Sequence, residues 1–248
     1  MNIGIIGAGA IAQYVIEKLA NTDFHVTALL VRDTEKYAHF ETNERLLYTD
    51  VQSFLQAVDF VIEAATVEAV PQYLPAVLAQ KPALIISVGA LVDDELLQIV
   101  KQGAHPCYLP TGAIGSVDLL QNACVAEVEK VQLRTIKPAA SLTAELVKEP
   151  TIIFTGTARE AIARYPKNMN VSIVLALAGI GFDRTMVQLV ADPFATENIH
   201  EITINGQFGE SVTTVKNKPL PQNPKTSYLA ALSVVGTLQR LNTAIQIR

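Results

Sequence analysis

The chain has 248 residues, of which half are hydrophobic, so it is long enough to fold as one large domain or two modest ones. Its net charge of −5 and pI near 5.4, without any cluster of basic residues, exclude nucleic acid as the main partner, because phosphate neutralisation requires a basic patch. The longest apolar stretch, 171–180, is too short for a bilayer, no secretion signal is recognisable, and the two cysteines lack metal-ligand spacing, so we expect a cytoplasmic protein with no membrane segment and no metal.

The N-terminal segment has the pattern of a dinucleotide-binding turn. A strand-like run, 2–6, is followed by Gly7, Gly9 and Ala12 at the spacing G-x-G-x-x-A, directly before a predicted helix over 11–19. The first glycine permits a tight turn, the second lets the backbone approach a pyrophosphate, and the small third residue lets the helix pack on the strand. The phosphates then lie at the positive end of the helix dipole. The residues expected to contact the cofactor here are Gly7, Gly9, Ala10 and Ile11.

Buried strands and helices then alternate. Near-continuous apolar runs are typical of parallel strands that are covered on both faces, and helical stretches separate them. The alternation predicts a doubly wound parallel sheet. This sheet forms a first domain over 1–110, which ends at Pro110. The predicted strands are 26–31, 60–65 and 84–88, and the predicted helices are 67–78, with Thr66 as its N-cap, and 93–101.

The end of the second strand bears on which dinucleotide binds. An acid about 20 residues after the glycines usually holds the ribose hydroxyls, whereas a nearby arginine accommodates a 2′-phosphate. Here the strand ends Leu30-Val31-Arg32-Asp33, so the acid is displaced outward and Arg32 lies near its place. We expect NAD or NADP as the cofactor, with NADP tolerated. The alternative is that Arg32 and Asp33 are simply solvated at a strand end.

From residue 111 the buried runs give way to strands with polar alternation, typical of an open sheet. A glycine-rich turn, 111–116, opens a predicted helix over 117–124, and 206–209 is a predicted hairpin turn. This pattern predicts a second, α+β domain over 111–222, with self-association through its sheet. The predicted strands are 128–136, 151–155, 186–191, 201–205 and 211–215.

The C-terminal segment, 223–248, follows a proline-rich link and contains one amphipathic helix, predicted over 226–241. A single helix cannot form a core of its own, so we expect it to pack on the first domain.

His200 is the candidate catalytic residue. It ends a polar stretch, 192–200, which is predicted as a loop between two strands, where a side chain can face a cleft between the domains. An imidazole with a pKa near neutrality suits a proton transfer coupled to hydride transfer.

Three further residues are candidates for substrate binding. Lys137 and Lys225 lie beside prolines that end regular structure, so either can project into a cleft and pair with a carboxylate, or can be an ordinary surface charge. Asn198, two residues before the histidine, is the third.

Five stretches, taken together, make the sequence resemble the L-aspartate dehydrogenase family, which supplies iminoaspartate for NAD biosynthesis. They occur in the right order and are far more specific than the glycine turn. The stretches are LPTGAIGSVD at 109–118, TIKP at 135–138, YPKNMNV at 165–171, VADP at 190–193 with NIH at 198–200, and NPKTS at 223–227.

The resemblance implies a Rossmann-type domain, a second α+β catalytic domain and a C-terminal helix that returns to the first. It implies NAD(P)-dependent oxidative deamination of L-aspartate, with His200 as the catalytic histidine and Ala113 and Asn170 as nicotinamide contacts. The expected partners are the small-molecule substrate and further copies of the chain, as a homodimer or another homo-oligomer.

Two other interpretations stay open from the residues. One is another two-domain enzyme of amino-acid metabolism, homoserine dehydrogenase-like or dihydrodipicolinate reductase-like, which shares the nucleotide domain and differs in the substrate loop. The other is a non-catalytic dinucleotide sensor, which requires an output module that the sequence does not suggest.

Overall fold

The computed structural model describes residues 1–143, 146–166 and 169–245, without the side chains of Pro224 and Lys225. These residues form two compact units. The first unit comprises Met1–Pro110 together with Val234–Ile245, and the second unit comprises Thr111–Ser233. Within the described ranges, every helix is too short or too polar to span a lipid bilayer.

The first unit is built on a six-stranded sheet in which every pair of neighbours is parallel. Its strands are β1 (Asn2–Ile6), β2 (His25–Leu30), β3 (Leu46–Tyr48), β4 (Phe60–Glu63), β5 (Ala83–Ile85) and β6 (Cys107–Tyr108). The order is β3-β2-β1-β4-β5-β6, so the chain winds outward twice from the middle and the direction reverses between β1 and β4. The predicted doubly wound parallel sheet is confirmed.

The first unit contains the three predicted helices, with different ends, and one short helix, Val51–Gln56, that was not predicted. They are α1 (Ala10–Leu19), α2 (Val51–Gln56), α3 (Ala69–Leu78) and α4 (Asp94–Gln102). Asp93 caps α4 by accepting a hydrogen bond from Leu96 N, which agrees with the predicted acidic start. The prediction of Thr66 as the cap of α3 is wrong. Its carbonyl instead closes a separate turn with Ala69 N, and the helix begins only there.

The second unit contains a five-stranded mixed sheet, as the predicted α+β fold requires. Its strands are β7 (Val128–Pro138), β8 (Thr151–Thr157), β9 (Thr185–Asp192), β10 (Asn198–Gly206) and β11 (Gly209–Asn217). The order is β11-β10-β7-β9-β8, and only β7 and β9 run parallel among these neighbours. Gly206 pairs with Gly209, which confirms the predicted hairpin turn.

Three helices and a short hairpin complete the second unit. They are α5 (Val117–Ala123), α6 (Ala158–Arg164), α7 (Asn170–Ala178), β12 (Pro219–Leu220) and β13 (Asn223–Ser227). A last helix, α8 (Tyr228–Leu241), begins in the second unit, and its residues from Val234 onward belong to the first. The division falls within this helix, whereas the sequence pattern predicts the boundary at residue 223.

The two faces of the mixed sheet differ in polarity and burial. One face is buried and carries Val131, Leu133, Leu189 and Ile202. The opposite face carries an ion pair between Arg134 and Glu201, with 2.9 Å between the nitrogen and the oxygen. It also exposes three large apolar side chains, Ile152, Met186 and Val212.

Candidate functional site

A groove of about 600 Å³ opens at the carboxyl ends of β1, β2 and β4. Open parallel sheets bind ligands at this edge, beside the point where the strand order reverses. The turn after β1 contributes Gly7, Ala8 and Gly9, and the segment after β4 contributes Ala64, Ala65 and Thr66. Gln72 and Tyr73 of α3 line it as well. The groove thus has the position and size of a dinucleotide site.

The two glycines of the turn have different roles. Gly7 has a φ of +99°, and a Cβ at this position would lie 2.9 Å from the carbonyl oxygen of Ala64, so the turn itself requires glycine. Gly9 has a φ of −80°, and no heavy atom lies within 4 Å of where its Cβ would be. Its lack of a side chain leaves open space at the N-terminus of α1. This cradle fits a pyrophosphate, since helix N-termini bind anions.

Arg32, a predicted cofactor contact, lines the groove together with Asp33, Lys36 and Tyr37. Asp33 Oδ1 accepts a hydrogen bond from Lys36 N at 3.0 Å, so this carboxylate is engaged with its own turn. The Lys36 ammonium lies 5.3 Å from the centre of the Tyr37 ring. Two cations therefore line the part of the groove next to β2. The sequence reasoning missed Lys36, although its place four residues after Arg32 was visible.

Glu63, the last residue of β4, is buried and directly precedes the segment Ala64–Thr66 that lines the groove, and sequence reasoning missed it. It is 2% exposed. One carboxylate oxygen accepts hydrogen bonds from Ala65 N at 2.8 Å and Ser87 Oγ at 2.9 Å, and the other accepts one from Ser87 N at 3.0 Å. Burial raises the pKa of this carboxyl group, and the hydrogen bonds from Ser87 and Ala65 oppose the rise. Glu63 thus ties the segment that lines the groove to the end of β5.

Two other predicted cofactor residues, Ala10 and Ile11, begin α1 and are not among the residues that line the groove.

His200 lies within β10 and is 3% exposed, so the prediction that it belongs to a polar loop is wrong. It pairs with Thr135 of β7 in the strand register, and its Nδ1 lies 3.1 Å from Thr135 Oγ1. Burial, reinforced by the positive charge of Lys137, lowers the pKa of His200 to about 4. The expected near-neutral pKa is therefore corrected, because the sequence pattern did not show that the ring would be desolvated.

Lys137 lies near the end of β7, two residues after Thr135 and therefore on the same face of the sheet. Burial lowers its pKa to about 8. Asn198 is the first residue of β10, and its Nδ2 donates to Ser227 Oγ at 3.5 Å. Ile136 of β7 pairs with Ile199 of β10, and Lys137 and Asn198 are the next residues on these two strands. The structure therefore brings these two substrate candidates close to His200. The backbone of Lys225 lies in β13, but its side chain is outside the described part of the chain.

The glycine-rich turn before α5 is held against β11. The carbonyl oxygen of Ala113 accepts a hydrogen bond from Asn217 Nδ2 at 3.0 Å. Ser116 Oγ lies 2.6 Å from Thr213 Oγ1, and Ser116 has a left-handed backbone with a φ of +59°. Sequence reasoning found Ala113 only through the resemblance and missed Asn217 and Thr213, because the partners are far apart in the chain.

Asn170 is the first residue of α7 and is exposed, while Met169 occupies the N-cap position. The neighbouring Asn168 of the same motif lies outside the described residues. In the described ranges, no three His, Cys, Asp or Glu residues gather at a distance suited to a metal ion.

A doubly wound domain with a glycine turn and an open groove, joined to a mixed-sheet domain with a buried histidine, defines a nicotinamide-dinucleotide-dependent dehydrogenase. Comparisons with known proteins agree. The model of the homoserine dehydrogenase NAD-binding domain matches residues 7–107, and that of the aspartate dehydrogenase C-terminal domain matches residues 118–241. The homoserine dehydrogenase likeness is thus confined to the nucleotide domain.

The chain belongs to the L-aspartate dehydrogenase family. It is 39% identical to the L-aspartate dehydrogenase of Methanocella arvoryzae, over 99% of this chain and 98% of that protein. It is 38% identical to that of Pseudomonas aeruginosa over the whole of both chains. The crystal structure of aspartate dehydrogenase from Thermotoga maritima matches with a TM-score of 0.83 and 29% identity, over 100% of this chain and 99% of that one. Amine dehydrogenase from Mycobacterium smegmatis, at 12% identity and a TM-score of 0.57, shares the fold alone.

Proposed function

We propose that the chain oxidises L-aspartate to iminoaspartate with NAD or NADP, and that the imine then hydrolyses to oxaloacetate and ammonia. The observation that carries this proposal is the buried pair of His200 and Thr135 beside Lys137, in the unit that matches the aspartate dehydrogenase model. The product would supply NAD biosynthesis, as in the family that the sequence resembles.

The residues of the groove fit a bound dinucleotide. Gly9 leaves room at the N-terminus of α1 for the pyrophosphate, and Arg32 and Lys36 offer positive charge next to β2 for a 2′-phosphate. The bound cofactor supplies the hydride acceptor, and the protein supplies binding and orientation. Ala113 and Asn170 are proposed nicotinamide contacts, on the resemblance.

His200 is proposed to handle the proton of the substrate amine. With a pKa near 4 its ring is neutral at pH 7. When Nδ1–H donates to Thr135 Oγ1, the other ring nitrogen carries a lone pair that can accept a proton from the amine. The two carboxylates of the bound substrate are proposed to raise the pKa of the ring toward the range that this transfer requires. Hydride can leave the substrate only when the amine is neutral, because its lone pair then stabilises the carbon that loses the hydride.

Lys137, Lys225 and Asn198 are proposed to hold the two carboxylates of aspartate. A cation pairs strongly with a carboxylate, and an amide NH₂ group donates to it. Lys137, with a pKa near 8, is mostly charged at pH 7 and can serve this role. Two fixed carboxylates leave one orientation for the carbon that is oxidised.

The test is a kinetic assay of purified protein with each dinucleotide and a panel of amino acids. We expect dinucleotide reduction with L-aspartate, and His200→Gln to lower kcat by about 10²–10⁴-fold, the usual contribution of a general acid–base, with the dinucleotide Kd unchanged. Activity with homoserine and none with aspartate would overturn the assignment. A dinucleotide sensor would bind cofactor without turnover.

We also propose that the chain forms a homodimer through the exposed face of the mixed sheet, where Ile152, Met186 and Val212 lie. A charge on this face should prevent association, so Met186→Glu should yield monomers in light scattering after gel filtration. Val125→Glu is the matched control, because Val125 is an exposed apolar residue that follows α5 and lies outside the sheet. Equal masses for wild type and Met186→Glu would exclude this interface.

A further inference from the structure

Asn217, the last residue of β11, is a buried side chain with one half of its amide unsatisfied. It is 3% exposed. Its Nδ2 donates to the carbonyl oxygen of Ala113, whereas its Oδ1 has no hydrogen-bond partner among the residues that the structure describes. A backbone carbonyl only accepts hydrogen bonds, so the NH₂ group must face Ala113 and the orientation of the amide is fixed. The unpaired atom is therefore an acceptor.

A buried acceptor without a donor is rare, because folding removes its water without replacing the hydrogen bond. Such an atom takes its hydrogen bond from an ordered water or from a donor that arrives with a ligand.

The strand register places Asn217 beside the proposed catalytic histidine. Val215 pairs with His200, and Asn217 pairs with Asn198, two positions further along both strands. Directly paired residues of antiparallel strands share a face, and so do residues two apart in one strand. His200, Asn198 and Asn217 therefore project from one face of the sheet.

The partner of Asn217 is itself a proposed ligand contact. Ala113 belongs to the turn that the family resemblance assigns to the nicotinamide. That turn has two other anchors, Ser116 Oγ to Thr213 Oγ1 and Gly112 N to Ser233 Oγ at 3.2 Å. The contact with Asn217 is thus one of three, and the position of the turn does not depend on it alone.

We propose that Asn217 binds the ligand directly: its Oδ1 accepts a hydrogen bond from an N–H group of the bound ligand while its Nδ2 holds the Ala113 carbonyl. This inference rests on the proposed dehydrogenase function. Two ligands of that reaction carry such a group, the amine of the amino acid and the carboxamide of the dinucleotide. The experiment below separates them.

The test compares wild type with Asn217→Leu, which has a similar shape and no acceptor, using ligand pairs that differ in the N–H group. Dinucleotide affinity is measured by fluorescence titration with NAD and with its acetylpyridine analogue, which lacks the carboxamide NH₂. Substrate binding is measured as KM for aspartate and as inhibition by succinate, which lacks the amine. Loss of one hydrogen bond corresponds to about a tenfold change in affinity.

If the carboxamide is the donor, Asn217→Leu should bind NAD about tenfold more weakly and the analogue unchanged. If the amine is the donor, KM for aspartate should rise about tenfold, with inhibition by succinate unchanged. Either pattern supports the proposal. Should Asn217→Leu not fold, Asn217→Ala removes the same acceptor with less volume.

Thr213→Val is the matched control, since it removes another anchor of the same turn. If Asn217 only holds the turn, Asn217→Leu should resemble Thr213→Val and weaken both members of each pair equally. That result overturns the inference. A wild type that does not oxidise aspartate would instead refute the proposed function, and the two failures are therefore distinguishable.

Discussion

His200 combines a hydrogen bond to a hydroxyl group with a position that desolvates its charged form. Its pKa falls to about 4 from an ordinary value of 6.5, because burial and the charge of Lys137 both disfavour the imidazolium. This lowered pKa reduces the free energy of unfolding at acidic pH. Between these two pH values the unfolded chain binds a proton that the folded chain does not, so protons favour unfolding.

We therefore predict that wild type loses stability relative to His200→Gln as the pH falls from 7 to 4. The difference should be on the order of 3 kcal/mol, from a shift of about 2.5 pKa units, and should not grow further at lower pH. Urea unfolding of both proteins at several pH values measures it, and the carboxylates that both proteins share cancel. A constant difference over this range would contradict the burial of a neutral ring.

Glu63 is a second residue whose effect is predicted from its hydrogen bonds. Two backbone N–H groups, of Ala65 and Ser87, donate to different oxygens of its carboxylate. Glu63→Gln has a single acceptor oxygen, so one N–H must face an NH₂ group. We expect a loss of about 1–3 kcal/mol in the free energy of unfolding, the cost of an unpaired buried group, and a displaced segment beside the groove.

Displacement of the segment 64–66 in Glu63→Gln should also weaken dinucleotide binding by about tenfold or more, which corresponds to about 1.4 kcal/mol. Fluorescence titration measures this affinity. Ser87→Ala is the control. It removes one hydroxyl donor and leaves both backbone hydrogen bonds, so its effect should be smaller. Unchanged affinity in Glu63→Gln would show that Glu63 does not position the groove.

At the scale of elements, the turn between β1 and α1 contains one glycine that folding requires, Gly7, and one that dinucleotide binding is proposed to require, Gly9. Gly7→Ala places a Cβ against backbone atoms and forces a left-handed alanine, so it should destabilise the protein by about 1–3 kcal/mol. Gly9→Ala meets open space at an ordinary φ, so its stability should stay within about 0.5 kcal/mol of wild type.

The dinucleotide affinity of Gly9→Ala should nevertheless fall by at least about tenfold, because the added methyl group occupies the space at the N-terminus of α1 where the pyrophosphate is proposed to bind. Thermal unfolding without ligand and titration with NAD measure the two effects. A Gly9→Ala protein that binds NAD like wild type would remove the glycine turn from the site.

The helices and strands also show which local sequence patterns are sufficient to predict an element. Strands β1 and β2 were predictable, because their apolar residues follow one another almost without interruption. Strand β6 has two residues and β3 has three, too few for any periodicity, and only their parallel neighbours define them. Strand β10 begins three residues earlier than predicted, since β11 extends to Asn217 and pairs with it.

At the scale of the whole molecule, α8 links the C-terminal part of the chain to the first unit. Leu238 is fully buried there, whereas Leu232 of the same helix is 40% exposed. We predict that Leu238→Ala lowers the free energy of unfolding by about 2–5 kcal/mol, the usual cost of a cavity.

Leu232→Ala should cost less than about 1 kcal/mol, because most surface substitutions are small. Urea unfolding, followed by circular dichroism, compares the two variants with wild type. Similar effects of both substitutions would contradict the prediction, because alanine is as good a helix former as leucine and the two sites differ in burial.

The sequence by itself determined the doubly wound domain, the glycine turn, the mixed second domain and the family. Each of these depends on local spacing or on short ordered motifs, which can be read along the chain. The tertiary structure decided the environment of the site. Thr135 and His200 are 65 residues apart, Ala113 and Asn217 are 104 apart, and Glu63 and Ser87 are 24 apart. The lowered pKa of His200 and the unpaired oxygen of Asn217 arise from such pairings, because burial and hydrogen bonding depend on neighbours in space.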